Sequence, residues 1–303
     1  MAKKSLYIRI QLTLFYWLVL ALVGLLRLLP RKPAILLMRG VGDIIFRLGR
    51  GIRQLTIRHL TIAFGNEKSE LEIRQLAHRV FLHFGTVVAD FIREPNIIKS
   101  GINKLITIEG IEHLDQAMAP GRGSLMITAH FGNWELLGAW LAQNGYKFKV
   151  VGATHSDERL DRLIVETRNS AGYTNIARGK STREILRCLK DGQTVGMLID
   201  QDTRVQGVFV NFFGQPTFTP TGPVVLARKF KLPLVPIFMR LKDDFSYHIE
   251  CSAPIDLVFT DNEELDHQVN TQKCSDVYEN IIRRYPEQWV WMHKRWKTKP
   301  GNQ

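Results

Sequence analysis

From about residue 105 onward, short apolar runs alternate with longer amphipathic ones, and no other feature restricts the fold as much. The strand-like runs are Ile106–Glu109, Ser124–Ala129, Phe148–Ala153, Thr194–Ile199 and Leu234–Met239. Stretches with helical spacing lie between and after them: Glu112–Met118, Trp134–Asn144, Glu158–Ala171, Thr182–Lys190, Gly222–Phe230 and Glu263–Arg284. Strands separated by helices of this length predict an α/β fold, with a mostly parallel central sheet flanked by helices. Upstream, Glu67–Ile92 reads as one long helix with apolar Leu71, Leu76, Val80, Phe81, Phe84 and Val88, stopped by Pro95. His78 and His83 on that helix read as surface or packing histidines rather than ligands.

Ahead of these elements, Ile10–Leu26 (IQLTLFYWLVLALVGLL) runs 17 residues without a charge, the low edge of what a bilayer span needs. Lys3, Lys4 and Arg9 precede it, and Arg27, Arg31 and Lys32 follow. A cleaved signal peptide would need a small-residue site after the run, and Arg27-Leu-Leu-Pro-Arg-Lys offers none. A membrane anchor fits better than a buried core helix, either spanning or lying deep in the interface. The organisation this implies is an anchor over residues 1–32 and one domain over 33–303, helical to about 100 and α/β from about 101.

Composition bears on the partner. With 45% hydrophobic and 23% charged residues among 303, disorder, collagen and a multi-span membrane protein are excluded. The net charge of +12 is uneven: residues 1–60 carry +10, residues 283–303 carry +5, and the stretch between carries −3. Basic ends that frame an apolar segment and a Trp-rich tail point to an anionic membrane or a phosphorylated lipid, not to nucleic acid. Cys188, Cys251 and Cys274 are odd in number and lack metal-ligand spacing, which argues against a disulfide framework or a zinc site. A reducing compartment, here the cytoplasmic side of the membrane, follows from that usage.

The most informative segment is Ser124-Leu-Met-Ile-Thr-Ala-His130-Phe-Gly-Asn-Trp-Glu135. An apolar strand runs into a histidine, then a tight turn, then a helix, which is how open α/β sheets place their sites. On a continuous helix His130 and Glu135 would lie about 140° apart, so only the Gly132-Asn133 turn lets them converge. Paired in that way, the carboxylate can fix the imidazole tautomer and stabilise the imidazolium. With no G-x-S-x-G elbow and no cysteine in such a turn, the attacking hydroxyl would be the substrate's own.

These residues resemble a family. His130-Phe-Gly-Asn-Trp-Glu135 is similar to the H-x(4)-D/E signature of glycerolipid-type acyltransferases, in the form used by the lipid A secondary (late) acyltransferases of Gram-negative bacteria. Further blocks follow in the family's order: Leu163–Gly172 with Arg168, Val195–Asp202 ending in D-x-D, Phe212-Phe213-Gly214 through Pro223, and Tyr285–Lys297. Thr217 stands where the family commonly has Ala. The resemblance covers nearly the whole chain and implies an acyl carrier protein thioester as donor, with no other cofactor. The implied acceptor is a hydroxyl on the acyl chains of a phosphorylated lipid A precursor, at the bacterial inner membrane.

The resemblance also implies roles. His130 would be the general base and Glu135 its orienter, with backbone N–H groups near Gly132 and Asn133 as oxyanion donors. Arg168 would bind a substrate phosphate. Asp200 and Asp202 end an apolar strand, and one of them would anchor a basic side chain or a sugar hydroxyl, a metal site being disfavoured. Thr221 would belong to the loop and helix start beside the site, and Arg295, among Trp289, Trp291 and Trp296, would face lipid headgroups. Acylation of another glycolipid or aminolipid, or lipid binding without catalysis, are the alternatives.

Overall fold

A computed structural model describes residues 6–119, 123–152, 157–177 and 182–301. Lys3, Lys4 and Ala153, named above, lie outside those residues. The chain opens with five helices: α1 (Leu6–Leu28), α2 (Arg31–Leu48), α3 (Arg50–Phe64), α4 (Glu70–Ile92) and α5 (Glu94–Ser100). Strands and helices then alternate as β1 (Ile106–Glu109), α6 (Glu112–Ala117), β2 (Ser124–Thr128), α7 (Trp134–Gln143), β3 (Phe148–Gly152) and α8 (Glu158–Ala171). They continue as β4 (Thr174–Ala177), α9 (Thr182–Lys190), β5 (Thr194–Leu198), a β6 (Gly207–Phe212) and β7 (Gln215–Pro220) ribbon, and α10 (Gly222–Phe230). The last elements are β8 (Leu234–Leu241), β9 (Tyr247–Cys251) and α11 (Glu263–Arg284).

Seven strands form one sheet in the order β1-β9-β8-β2-β5-β3-β4, parallel except for the β8–β9 pair. The α/β architecture read from the alternation is therefore present. The sheet's middle is buried on both faces, as a parallel sheet covered by helices must be, and every residue of β2 is buried. Four strands escaped the sequence reading: β4, β9 and both strands of the antiparallel β6–β7 ribbon. The long helix starts at Glu70 instead of Glu67, because Ser69 and Glu72 close a reciprocal capping box there. It ends at Ile92, and Pro95, expected to stop the chain's helicity, sits in the first turn of α5, where its missing N–H costs nothing.

The amino-terminal helices brace the sheet through α4. Gly42 of α2 lies against the Phe81 carbonyl and Gly85 of α4 against Met38, so small residues let the two helices approach backbone to backbone. His78 pairs with Asp43 at 2.7 Å, while His83 is buried and meets the Gly132 carbonyl at 3.3 Å. Burial drives the pKa of His83 down to about 4, so it packs as a neutral ring.

Candidate active site

The β2–β5 register pairs Thr128 with Leu198, so two residues further on His130 and Asp200 leave neighbouring strands at the same level. Parallel strands present these carboxyl ends on one edge of the sheet. There the Asp200 carboxylate, fully buried, receives three hydrogen bonds. One comes from the His130 backbone N–H at 2.8 Å, one from the His130 ring Nδ1 at 2.9 Å, and one from the Trp289 indole at 2.9 Å. Burial alone would raise the pKa of Asp200, but the imidazole and these donors hold it below the usual carboxylate range. Nδ1 is thereby the protonated nitrogen, and Nε2 has no protein partner among the described residues.

Glu135 is not the partner of His130. Its carboxylate is turned to the other side, accepting from Arg168 at 2.9 and 2.5 Å, from the Tyr173 hydroxyl at 3.0 Å and from the Trp134 indole at 3.0 Å. The helix geometry explains this: once α7 starts at Trp134, Glu135 follows the helix and cannot fold back on the strand end. Arg168 is correspondingly engaged. Its fork closes on Glu135 and its remaining arm on Asn175 at 2.7 Å, and despite burial this pairing raises its pKa. The phosphate role expected of Arg168 thus finds that fork already occupied by a protein carboxylate. Glu94 lies next to this network, fully buried, with neither carboxyl oxygen bonded; desolvation and the Glu135 charge push its pKa up to about 9.

The turn is fixed by its own residues. Gly132 adopts φ +55°, and a Cβ there would run into the Met239 carbonyl. The Asn133 side chain caps α7 by accepting from Leu136 N–H at 3.0 Å and donates to the Tyr247 hydroxyl at 3.1 Å. The Tyr247 hydroxyl in turn bonds Asp90 at 2.6 Å, which holds Arg31 at the start of α2. The backbone donors proposed for an oxyanion are spent: Gly132 N–H on the Gln288 carbonyl at 2.8 Å and Asn133 N–H on that of Met239 at 3.1 Å. In the first turn of α7, the N–H groups of Trp134 and Glu135 have no acceptor among the described residues.

The carboxyl-terminal block is core, not membrane surface. Trp289 and Trp291 are inaccessible, Trp296 nearly so, and Arg295 is 1% exposed. Arg295 donates to the Phe218 carbonyl and the Thr219 hydroxyl, each at 2.6 Å, and burial lowers its pKa to about 10. A segment that mixes tryptophan with arginine can be buried because most of its donors find acceptors. The Trp289 indole bonds Asp200, the Trp291 indole the Pro286 carbonyl, and both Arg295 Nη groups are bonded, while Arg295 Nε and the Trp296 indole have no partner among the described residues. Asp202 binds the Thr298 backbone and hydroxyl at 2.7 and 3.0 Å, away from His130. Thr221 begins α10 and lines a separate apolar cavity of about 420 Å³.

His130 stands at a cavity of about 350 Å³ between β2, β3 and the helices α7 and α8. Trp134, Glu135, Arg168 and Gln201 share it, while Met126, Leu137, Gly138, Phe148 and Val150 supply apolar walls. Along β2, Met126, Thr128 and His130 point to the same side, so the cavity follows the strand inward from the imidazole. A broader depression of about 850 Å³ between α10 and residues 255–261 contains none of these groups. Sequence reasoning missed Trp289 and Tyr173 as site partners. It had placed Asp200 at a strand end, but strand order, which makes it the neighbour of His130, is not written in any local pattern.

A family model described as bacterial lipid A biosynthesis acyltransferase matches residues 1–298. The lipid A biosynthesis lauroyltransferase of Escherichia coli K12 is 29% identical over 303 residues, 94% of this chain and 93% of that protein. The palmitoleoyltransferase of the same organism is 27% identical over 66% of this chain and 64% of its own length. The phosphatidylinositol mannoside acyltransferase of Mycolicibacterium smegmatis is 28% identical over 208 residues, 67% of this chain and 66% of that protein. The Mycobacterium tuberculosis mannoside acyltransferase matches over 59% of its length.

Proposed function

The chain belongs to the bacterial lipid A biosynthesis acyltransferases, and from that premise and the His130 cavity we propose that it transfers a fatty acyl group from an acyl carrier protein thioester. The acceptor is a hydroxyl on an acyl chain of a phosphorylated lipid A precursor. One observation carries the reading: a histidine whose Nδ1 is held by a buried carboxylate stands at the mouth of a largely apolar cavity. Unpartnered Nε2 removes the proton from the acceptor hydroxyl, and Asp200 stabilises the imidazolium that forms. The hydroxyl oxygen attacks the thioester carbonyl. The tetrahedral oxyanion takes hydrogen bonds from the first-turn N–H groups of Trp134 and Glu135, reinforced by the helix dipole. Collapse breaks the carbon–sulfur bond, and the departing thiolate recovers its proton from His130. No acyl-enzyme and no resident cofactor take part.

The cavity beyond His130 holds the transferred chain, its methylenes gaining about 0.8 kcal/mol each on leaving water. Glu135, Arg168 and Tyr173 build the wall of that cavity and set the pitch of α7. The reaction takes place at the inner membrane, with the catalytic domain on the cytoplasmic side where acyl carrier protein is found. The mycobacterial relatives, named for a phosphatidylinositol mannoside, support the wider class of glycolipid acceptors. Purified full-length protein, incubated with acyl carrier protein thioesters of several chain lengths and either a lipid A precursor or a phosphatidylinositol mannoside, tests the proposal by mass spectrometry. One added acyl group on the lipid A precursor, lost in His130→Ala, is expected. Transfer to neither acceptor, or undiminished transfer by His130→Ala, would overturn it.

A further inference from the structure

The apolar first helix is fastened to the body along its length. Leu12, Tyr16, Val19, Leu20, Val23 and Leu26 form its inward side, half-buried or buried. From α8, Arg159 donates to the Leu12 carbonyl at 3.1 Å and the Thr13 hydroxyl at 3.3 Å, and its guanidinium lies 4.7 Å from the centre of the Tyr16 ring. At the other end Arg27 donates to the Ile92 carbonyl at 3.0 Å, and the Arg93 guanidinium bonds the carbonyls of Leu26 and Leu29. These two attachments are about 20 Å apart along the helix axis, from a rise of 1.5 Å per residue. If α1 crossed a bilayer in this position, Arg159 and its ion-pair partner Asp157 would be carried to the depth of residues 12–16, about 5–10 Å from the centre of the Ile10–Leu28 apolar run and inside the hydrocarbon, where charged groups are costly.

The outward side of α1 is apolar: Ile10, Leu14, Phe15, Trp17, Leu18 and Leu25 are 47–67% exposed. Helix α2, which follows after Pro30, is apolar on two faces. Ala34, Ile35, Met38, Gly42 and Phe46 pack inward, yet Leu37, Ile44 and Leu48 are 40%, 54% and 77% exposed. At about 100° per residue these three share a sector roughly 40° wide on a different face from the buried set. Lys32, Arg39 and Arg47 lie on the flank between. Residues 27–58 hold eight Lys/Arg and one acid, Asp43. A water-facing surface rarely leaves such a stripe uncovered, and the surrounding positive charge is complementary to anionic lipid.

We propose that α1 and α2 form a monotopic membrane platform, in which α1 lies in one leaflet along the catalytic body without crossing the bilayer. Its outward face continues into the exposed face of α2, and both seat on an anionic phospholipid surface. This is the geometry of an interfacial amphipathic anchor, with the body of the protein supplying the polar side. It concerns where the chain sits and does not depend on the reaction proposed above.

The test uses the full-length protein in sealed vesicles of phosphatidylethanolamine and phosphatidylglycerol with the catalytic domain outside. The native Cys188, Cys251 and Cys274 are buried, so single introduced cysteines can be labelled selectively. A membrane-impermeant maleimide is expected to modify Ala2→Cys without detergent; modification only after detergent means that α1 crosses, and overturns the monotopic arrangement. Fluorophores on Ile44→Cys and Leu48→Cys are expected to be quenched at least threefold by brominated acyl chains, and one on Leu265→Cys to be unaffected. Labels on α2 that are instead quenched by aqueous iodide, or that quench one another as the protein-to-lipid ratio rises, place that face in water or against a second copy. Either result overturns the platform.

Discussion

Replacing Glu94 by glutamine removes a proton that folding otherwise has to take up. The side chain is fully buried with neither oxygen bonded, and desolvation together with the neighbouring Glu135 charge raises its pKa from 4.5 to about 9. The native state therefore holds Glu94 protonated at neutral pH, while the unfolded chain leaves it ionised. The sign follows from proton uptake on folding: stability is fully present below pH 4.5 and falls as the pH rises toward 9. At pH 7 the lost stability amounts to about 3 kcal/mol, at 1.36 kcal/mol for each unit between the unfolded pKa and the solution pH. Glutamine is neutral at every pH and nearly the same size, so Glu94→Gln should recover most of that amount. For a chain of this length, about 3 kcal/mol corresponds to roughly 5 °C in melting temperature. Thermal unfolding of both proteins in the same detergent at pH 5, 7 and 8.5 is the assay. The gap should be small at pH 5 and widen with pH. A gap that stays constant, or a variant destabilised equally throughout, would refute the reasoning by requiring an ionised, partnered Glu94.

Breaking the Glu135–Arg168 pair with Glu135→Gln should lower stability by roughly 3–5 kcal/mol, because it strands a buried guanidinium. Removing both charges, with Arg168→Gln added, should cost less than the single change, as a double-mutant unfolding cycle will read. Gly132→Ala should destabilise by about 2 kcal/mol or more, since it combines φ +55° with a clash against a backbone carbonyl. Its loss of acyl transfer should exceed that expected from the unfolded fraction, because any shift of the turn carries His130 with it.

Most of the parallel sheet was legible because its strands are continuous apolar runs of the kind a sheet buried on both faces requires. The elements that escaped are those that depart from this rule. Strand β9 alternates, with Tyr247, Ile249 and Cys251 buried between His248 and Glu250, and its antiparallel partner is β8. Ribbon β6–β7 ends in Pro216 and Pro220, residues that read as turns. In the site, His130 was visible from the strand–turn–helix signature, whereas its partner was misassigned to Glu135. The carboxylate nearer in sequence bonds Arg168 instead of the imidazole, whereas Asp200, 70 residues away, reaches His130 through strand pairing. The Trp289–Lys297 block was misplaced for a related reason: composition suggested a lipid surface. What composition omits is that the Trp289 indole bonds Asp200 and that Arg295 bonds the β7 strand. Those acceptors come from elements remote in the chain.

The central claim is that Asp200, and not Glu135, orients and electrostatically supports His130. Steady-state acyl transfer by Asp200→Asn measures it directly. Asparagine keeps the shape but removes the charge that stabilises the imidazolium and can favour the wrong tautomer. The account predicts a fall in kcat of about 10²–10⁴-fold, with KM for the acyl donor little changed. An Asp200→Asn enzyme that keeps kcat within threefold of the parent, while a folded Glu135→Gln enzyme loses it, would contradict the account.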